Sequence, residues 1–175
     1  MPSHGGPQAV AQSLMSCILP EIQALQGKTV TRDALDKIWE DQVSRGPWHI
    51  TASSDMGYLD YITDDRRAEY FRLYHGQAEI AYRRILRDHG QAIFGGANNT
   101  LHYFILWLGN GHRTANFLKV WALPQGHRET HGRDWSNMIM TFLEYVIIRA
   151  FRAHHGLLHH DENPDSPLGF GLITS

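Results

Sequence analysis

Tyr74-His75-Gly76-Gln77-Ala78, followed by Arg83-Arg84-Ile85 and His89, sets a phenol and two guanidinium groups close together in one short stretch. Residues 70–75 are aromatic-rich and read as a strand that Gly76 ends, because glycine lets the backbone turn tightly. Residues 78–89 read as a helix with Ala81, Tyr82, Ile85 and Leu86 on one side and arginines elsewhere. On that reading the Tyr74 hydroxyl and the Arg84 guanidinium face one pocket beside a sheet, with Arg83 as the one-register alternative. A second chemical group lies far along the chain in Phe142-Leu143-Glu144. Glu144 has Met140, Ile147, Ile148 and Phe151 as helical neighbours, and it is the one acidic residue between Asp134 and Asp161. A carboxylate desolvated by such neighbours needs a cation, a metal or a proton.

Together these residues resemble the GIY-YIG nuclease family, found in homing endonucleases, some restriction enzymes and the incision subunit of bacterial excision repair. In that family a Tyr-x-Gly motif is often followed by Gln or Lys and a small residue. An arginine lies about ten residues after the tyrosine and a histidine often closes the same helix, places taken here by Arg84 and His89. The family's metal ligand is a glutamate on a later helix, commonly in a Leu-Glu pair, which Leu143-Glu144 matches. An asparagine often ends the region, and Asn163 is the candidate. The first motif belongs on the preceding strand, in Gly57-Tyr58-Leu59-Asp60-Tyr61-Ile62-Thr63-Asp64. Side chains alternate along a strand, so Gly57, Leu59 and Tyr61 share a face and Tyr58 points the other way. The catalytic role is therefore expected of Tyr61, with Tyr58 in reserve. His75 stands where the family usually has an aliphatic residue.

The resemblance implies phosphodiester hydrolysis in DNA, or as second choice RNA, dependent on Mg²⁺ (or Mn²⁺). Its catalytic set here is Tyr61, Tyr74, Arg84 and Glu144, with Glu144 also the metal ligand, and Gly76, Gln77, Arg83, His89 and Asn163 contact the substrate. A metal on the glutamate would polarise the phosphate, the arginine would hold the phosphoryl charge, and a tyrosine would orient or deprotonate water. The alternative is a catalytically weakened relative that binds nucleic acid or protein without cutting, which His75 and the loose first motif favour. A further rival is an unrelated small α+β interaction protein.

The elements that must position these groups begin with two helical stretches. Residues 8–26 read as helix with a break at Pro20, and Thr31 caps a second helix whose Ala34, Leu35, Ile38, Trp39 and Val43 form one apolar face before Gly46-Pro47 stops it. Residues 56–63 and 70–75 read as a hairpin around Asp64-Asp65-Arg66-Arg67. The nearly unbroken apolar run 101–108 reads as a strand, Gly109-Asn110-Gly111 as a hairpin turn, and 117–123 as a further strand. Asp134 caps the longest helix, 135–153, whose Trp135, Met138, Ile139, Phe142, Leu143, Val146, Ile147 and Ala150 suggest a wide, deeply packed face. The expected fold is α+β, a small, mainly antiparallel sheet flanked by helices and GIY-YIG-like at 48–175, with an N-terminal helical extension at 1–47.

Bulk properties narrow the rest. The formal charge of −2 argues against an electrostatically driven nucleic-acid binder, while leaving room for a local basic cleft. Cys17 is the single cysteine, which leaves no internal disulfide and no cysteine-based zinc site. No apolar stretch reaches membrane-spanning length, and residues 9–19 lack the basic flank of a signal peptide, so a soluble intracellular protein is expected. The N-terminal helices offer a surface for a homo-oligomer. His154-His155 and His159-His160 read as a solvated tail rather than a metal site, and Gly109-Asn110-Gly111-His112-Arg113-Thr114 lacks the following helix of a phosphate loop.

Overall fold

The computed structural model describes residues 6–46 and 54–155. Three helices come first: α1 (Pro7–Cys17), the single turn α2 (Pro20–Gln23) and α3 (Arg32–Ser44). Strands β1 (Ser54–Asp64) and β2 (Arg67–Ile80) follow, then a π-helix (Arg83–His89) that runs into α4 (Gly90–Phe94). After α5 (Leu101–Leu108) come β3 (Arg113–Ala122), the short α6 (His127–His131) and the long α7 (Arg133–His155). The fold is α+β, with one three-stranded antiparallel sheet in the order β2-β1-β3. Among the described residues no helix is long and apolar enough to cross a membrane.

Two expected elements differ. The run 101–108 is a helix and not a strand: the Thr100 side chain accepts from Tyr103 N at 3.4 Å, and His102, Ile105 and Leu106 turn inward at helical spacing. An unbroken apolar run has no period to separate the two readings, so the cap decides it. Asn110 and Gly111, at φ 47° and 86°, then turn the chain from a helix into β3 rather than between strands. Removing the cap by Thr100→Ala should cost about 1 kcal/mol in urea unfolding. Equal stability would mean that packing alone holds α5 in place. The other difference is that Gly76 does not end its strand, because β2 continues to Ile80.

Central β1 presents two dissimilar faces. Leu59 and Tyr61, with Phe71 and Leu73 of β2 and Leu118 and Val120 of β3, pack against Ile18, Ile22 and Leu35 from the N-terminal helices and Leu143, Ile147 and Phe151 of α7. The N-terminal helices thus share one core with the sheet. They also close the outer edge of β3, an edge that would otherwise offer unpaired backbone groups. Ile18 bridges to Trp121, and the fully buried Gln42 amide both donates to Lys119 O and accepts from Lys119 N, each at 2.8 Å.

The opposite face carries Met56, Tyr58 and Tyr74, covered by Ala81 and Ile85 at the start of the π-helix, and Ile62 with Tyr70, covered by Ile105 and Leu106 of α5. The turn between β1 and β2 is tied to the start of β3 through Asp64, whose buried carboxylate accepts from Arg66 and Arg113. These hydrogen bonds, that from Arg66 foremost, hold its pKa well below the usual carboxylate range.

Helix α7 packs less widely than its apolar content suggests. Met140, Leu143, Ile147, Ile148 and Phe151 are buried, whereas Trp135, Met138 and Phe142 stand about half exposed. The helix carries two apolar stripes, and the sheet covers one.

Candidate active site

Strand pairing sets the floor of the site. Tyr58 of β1 lies opposite Gly76 of β2, and Asp60 lies opposite Tyr74, so Tyr58, Asp60, Tyr74 and Gly76 occupy one face. The absent side chain at Gly76 is what admits the Tyr58 ring, since a Cβ there would stand 2.3 Å from both Cζ and Oη of Tyr58. Gly76 therefore serves close approach within a strand, not a turn.

The π-helix supplies the groups above that floor. Residues five apart stand on different sides of an α-helix, but i→i+5 bonding brings them to one side. Arg84 and His89 are so related, and both reach the same hydroxyl. Arg84 Nε donates to Tyr58 Oη at 3.3 Å, and Tyr58 Oη lies 2.6 Å from His89 Nε2. The other ring nitrogen, His89 Nδ1, lies 2.9 Å from Tyr103 Oη of α5. Beneath them Asp60 is fully buried, with Oδ2 3.3 Å from His102 Nε2 but outside hydrogen-bonding geometry, and no described side chain hydrogen-bonds either group.

Burial governs the charges of this cluster. It pushes the Tyr58 phenol well up, against the opposing charge of Arg84. It lowers His89 to about 4, helped by Arg84, and His102 to about 3, helped by His89 and Arg84. It raises Asp60 well above the usual carboxyl value, with the backbone N–H of Asn116 opposing. Near neutral pH the cluster thus holds the Tyr58 phenol and two neutral imidazoles around the Arg84 cation, and burial favours the protonated form of Asp60.

Glu144 approaches from the other side of the sheet. Its neighbour Leu143 is in the core, and Glu144 itself is partly buried. Burial raises its pKa while the Arg84 charge pulls it down. No hydrogen bond or ion pair joins Glu144 to a partner among the described residues. Among the described residues no three His, Cys, Asp or Glu side chains gather to hold a metal.

The structure brings together Tyr74, Arg84 and His89, with Glu144 in the field of Arg84. It does not bring Tyr61 to them. Tyr61 faces the N-terminal helices and donates to Asp36 Oδ1 at 2.9 Å. The reserve residue, Tyr58, occupies the place expected of Tyr61, because strand pairing puts it rather than Tyr61 on the face of Tyr74. Three of the expected substrate contacts also change. His89 is 1% exposed and lies under the phenol, Gly76 is covered by it, and Gln77 points to the α7 side, lining a shallow pocket with Asn137 and Thr141. Arg83 is exposed on the π-helix. Asn163 lies outside the described residues, as do His159, His160 and the side chains of His154 and His155.

Asp60, His102 and Tyr103 were not anticipated from the sequence. The last two were hidden by the strand reading of 101–108, and Thr100 at the head of that run was the signal that could have exposed them. No family model matches the chain, no curated protein matches it, and no solved structure matches it.

Proposed function

We propose that this chain is a GIY-YIG-like endonuclease domain that hydrolyses phosphodiester bonds in DNA, with RNA as second choice. The observation that carries the reading is the meeting of Tyr58, Tyr74, Arg84 and His89 on one sheet face. Phenol, guanidinium and imidazole are residue types that the sequence resemblance requires, drawn together from three separate elements, and Glu144 of α7 is the glutamate that the same resemblance assigns to the metal.

Glu144 would hold Mg²⁺ (or Mn²⁺), which when bound supplies Lewis-acid polarisation of the phosphate. Arg84 neutralises the charge that builds on the phosphoryl oxygens. Tyr58 is a phenol at neutral pH, so it can take a proton from water only by passing its own on. His89 Nε2, 2.6 Å away and neutral above about pH 4, is the acceptor in reach. For water and phosphate to reach the buried phenol, Arg84 must leave it for the phosphate.

The second reading, a domain that binds nucleic acid or protein without cutting, is favoured by one observation: the Tyr58 side chain is 0% exposed. Nicking of supercoiled plasmid with and without Mg²⁺ separates the two. Cleavage should depend on the metal, fall by roughly 10²- to 10³-fold in Arg84→Ala, and be lost in Glu144→Gln. Tyr58→Phe should abolish it while Tyr61→Phe leaves it intact. Cleavage indifferent to both Arg84→Ala and Glu144→Gln would sink this site. Retained DNA binding with no cleavage by the wild type would establish the second reading.

A further inference from the structure

His89 has a phenol on each ring nitrogen, Tyr58 at Nε2 and Tyr103 at Nδ1. A neutral imidazole is a donor at one nitrogen and an acceptor at the other, so the two phenols must play opposite parts. Arg84 Nε already donates to the Tyr58 oxygen. If His89 donated to it as well, the Tyr58 proton would be left without an acceptor in a fully buried position. Tyr103, only partly buried, can accept from Nδ1–H and turn its own proton towards solvent.

We infer that Tyr103 is a positioning residue that fixes His89 as the Nδ1–H tautomer, leaving Nε2 as the acceptor for the Tyr58 proton. The residue before it, His102, packs with Nε2 3.3 Å from Oδ2 of Asp60, which lies on β1 two residues from Tyr58 and on the same face. One strand therefore carries both ends of the chain of contacts: Tyr58 directly, and Tyr103 by way of Asp60 and His102. The catalytic meaning of this arrangement rests on the nuclease reading, but the tautomer itself does not.

The direct test is a two-bond ¹H–¹⁵N correlation spectrum of the ¹⁵N-histidine-labelled full chain at neutral pH, with the His89 signals identified by their loss in His89→Gln. The wild type should show His89 as the Nδ1–H tautomer. Tyr103→Phe, which keeps the ring and removes the acceptor, should convert much of it to Nε2–H, with the amide spectrum reporting that the fold is kept. A wild-type His89 in the Nε2–H form, or a pure Nδ1–H form surviving in folded Tyr103→Phe, overturns the inference. Absence of plasmid cleavage would count against the nuclease reading and leave the tautomer result standing. Where cleavage is seen, Tyr103→Phe should lower kcat about tenfold or more with KM unchanged.

Discussion

Gly76→Ala should destabilise the protein by about 3 kcal/mol, the upper part of the range for overpacking a filled core. Most glycine-to-alanine changes in a strand are mild, and many are favourable. Here the new methyl would sit 2.3 Å from the Tyr58 ring carbon and oxygen, and it is fixed to the backbone of a paired strand. The ring cannot easily retreat, because Arg84 and His89 hold its hydroxyl and Phe117 packs nearby. The cost should be largely removed in a Tyr58→Leu background, where the clashing atoms are gone. A double-mutant cycle in urea therefore reads the contact itself. Strict additivity of the two changes would mean that Gly76 matters for some reason other than Tyr58. Any phosphodiesterase activity should fall with Gly76→Ala as well, since the methyl displaces the phenol from its partners.

Asp60→Asn should make the acid sensitivity of the protein markedly steeper. Below about pH 6.5 the unfolded chain protonates His89, whereas the folded form resists until about 4. Stability from His89 is thus complete above 6.5 and falls as the pH drops towards 4. His102, held to about 3, acts in the same direction. Asp60 acts in the opposite one. Its raised pKa means that the folded state keeps a proton which the unfolded chain loses above about 4, so its contribution is present at low pH and lost as pH rises. Between pH 5 and 6 the raised Asp60 pKa therefore opposes the His102 slope, in proportion to how far the folded acid keeps its proton. Asparagine mimics the neutral acid but has no proton to lose, so the His102 slope emerges unopposed. Each proton of linkage is worth about 1.4 kcal/mol per pH unit. Urea titrations at pH 6 and pH 5 should accordingly show the variant losing more than the wild type, by up to about that much. Equal losses would mean that Asp60 is ionised in the folded protein.

Much of the fold is legible in local chemistry. Thr31 caps the helix it was expected to cap, and β3 covers most of the strand expected after Gly111. The run 101–108 was not legible, because an apolar stretch buried on most sides loses the alternation that marks a strand and the stripe that marks a helix. Trp135, Met138 and Phe142 misled in a related way, since periodicity reports which residues share a stripe and not whether anything covers it.

The candidate site divides along the same line. Sequence by itself supplied Tyr74, Arg84, His89 and Glu144, because each sits in a short motif whose spacing is a local property of the chain. Tertiary structure alone decided that Tyr58 and not Tyr61 meets Tyr74, Arg84 and His89, since the choice of face depends on pairing with a strand whose register no local pattern records. It also decided the part played by Gly76, whose missing side chain matters only through a ring on the neighbouring strand. Asp60, His102 and Tyr103 belong there too. Their charges and proton positions follow from burial and from one another, and burial is a property of the assembled sheet and helices rather than of any segment.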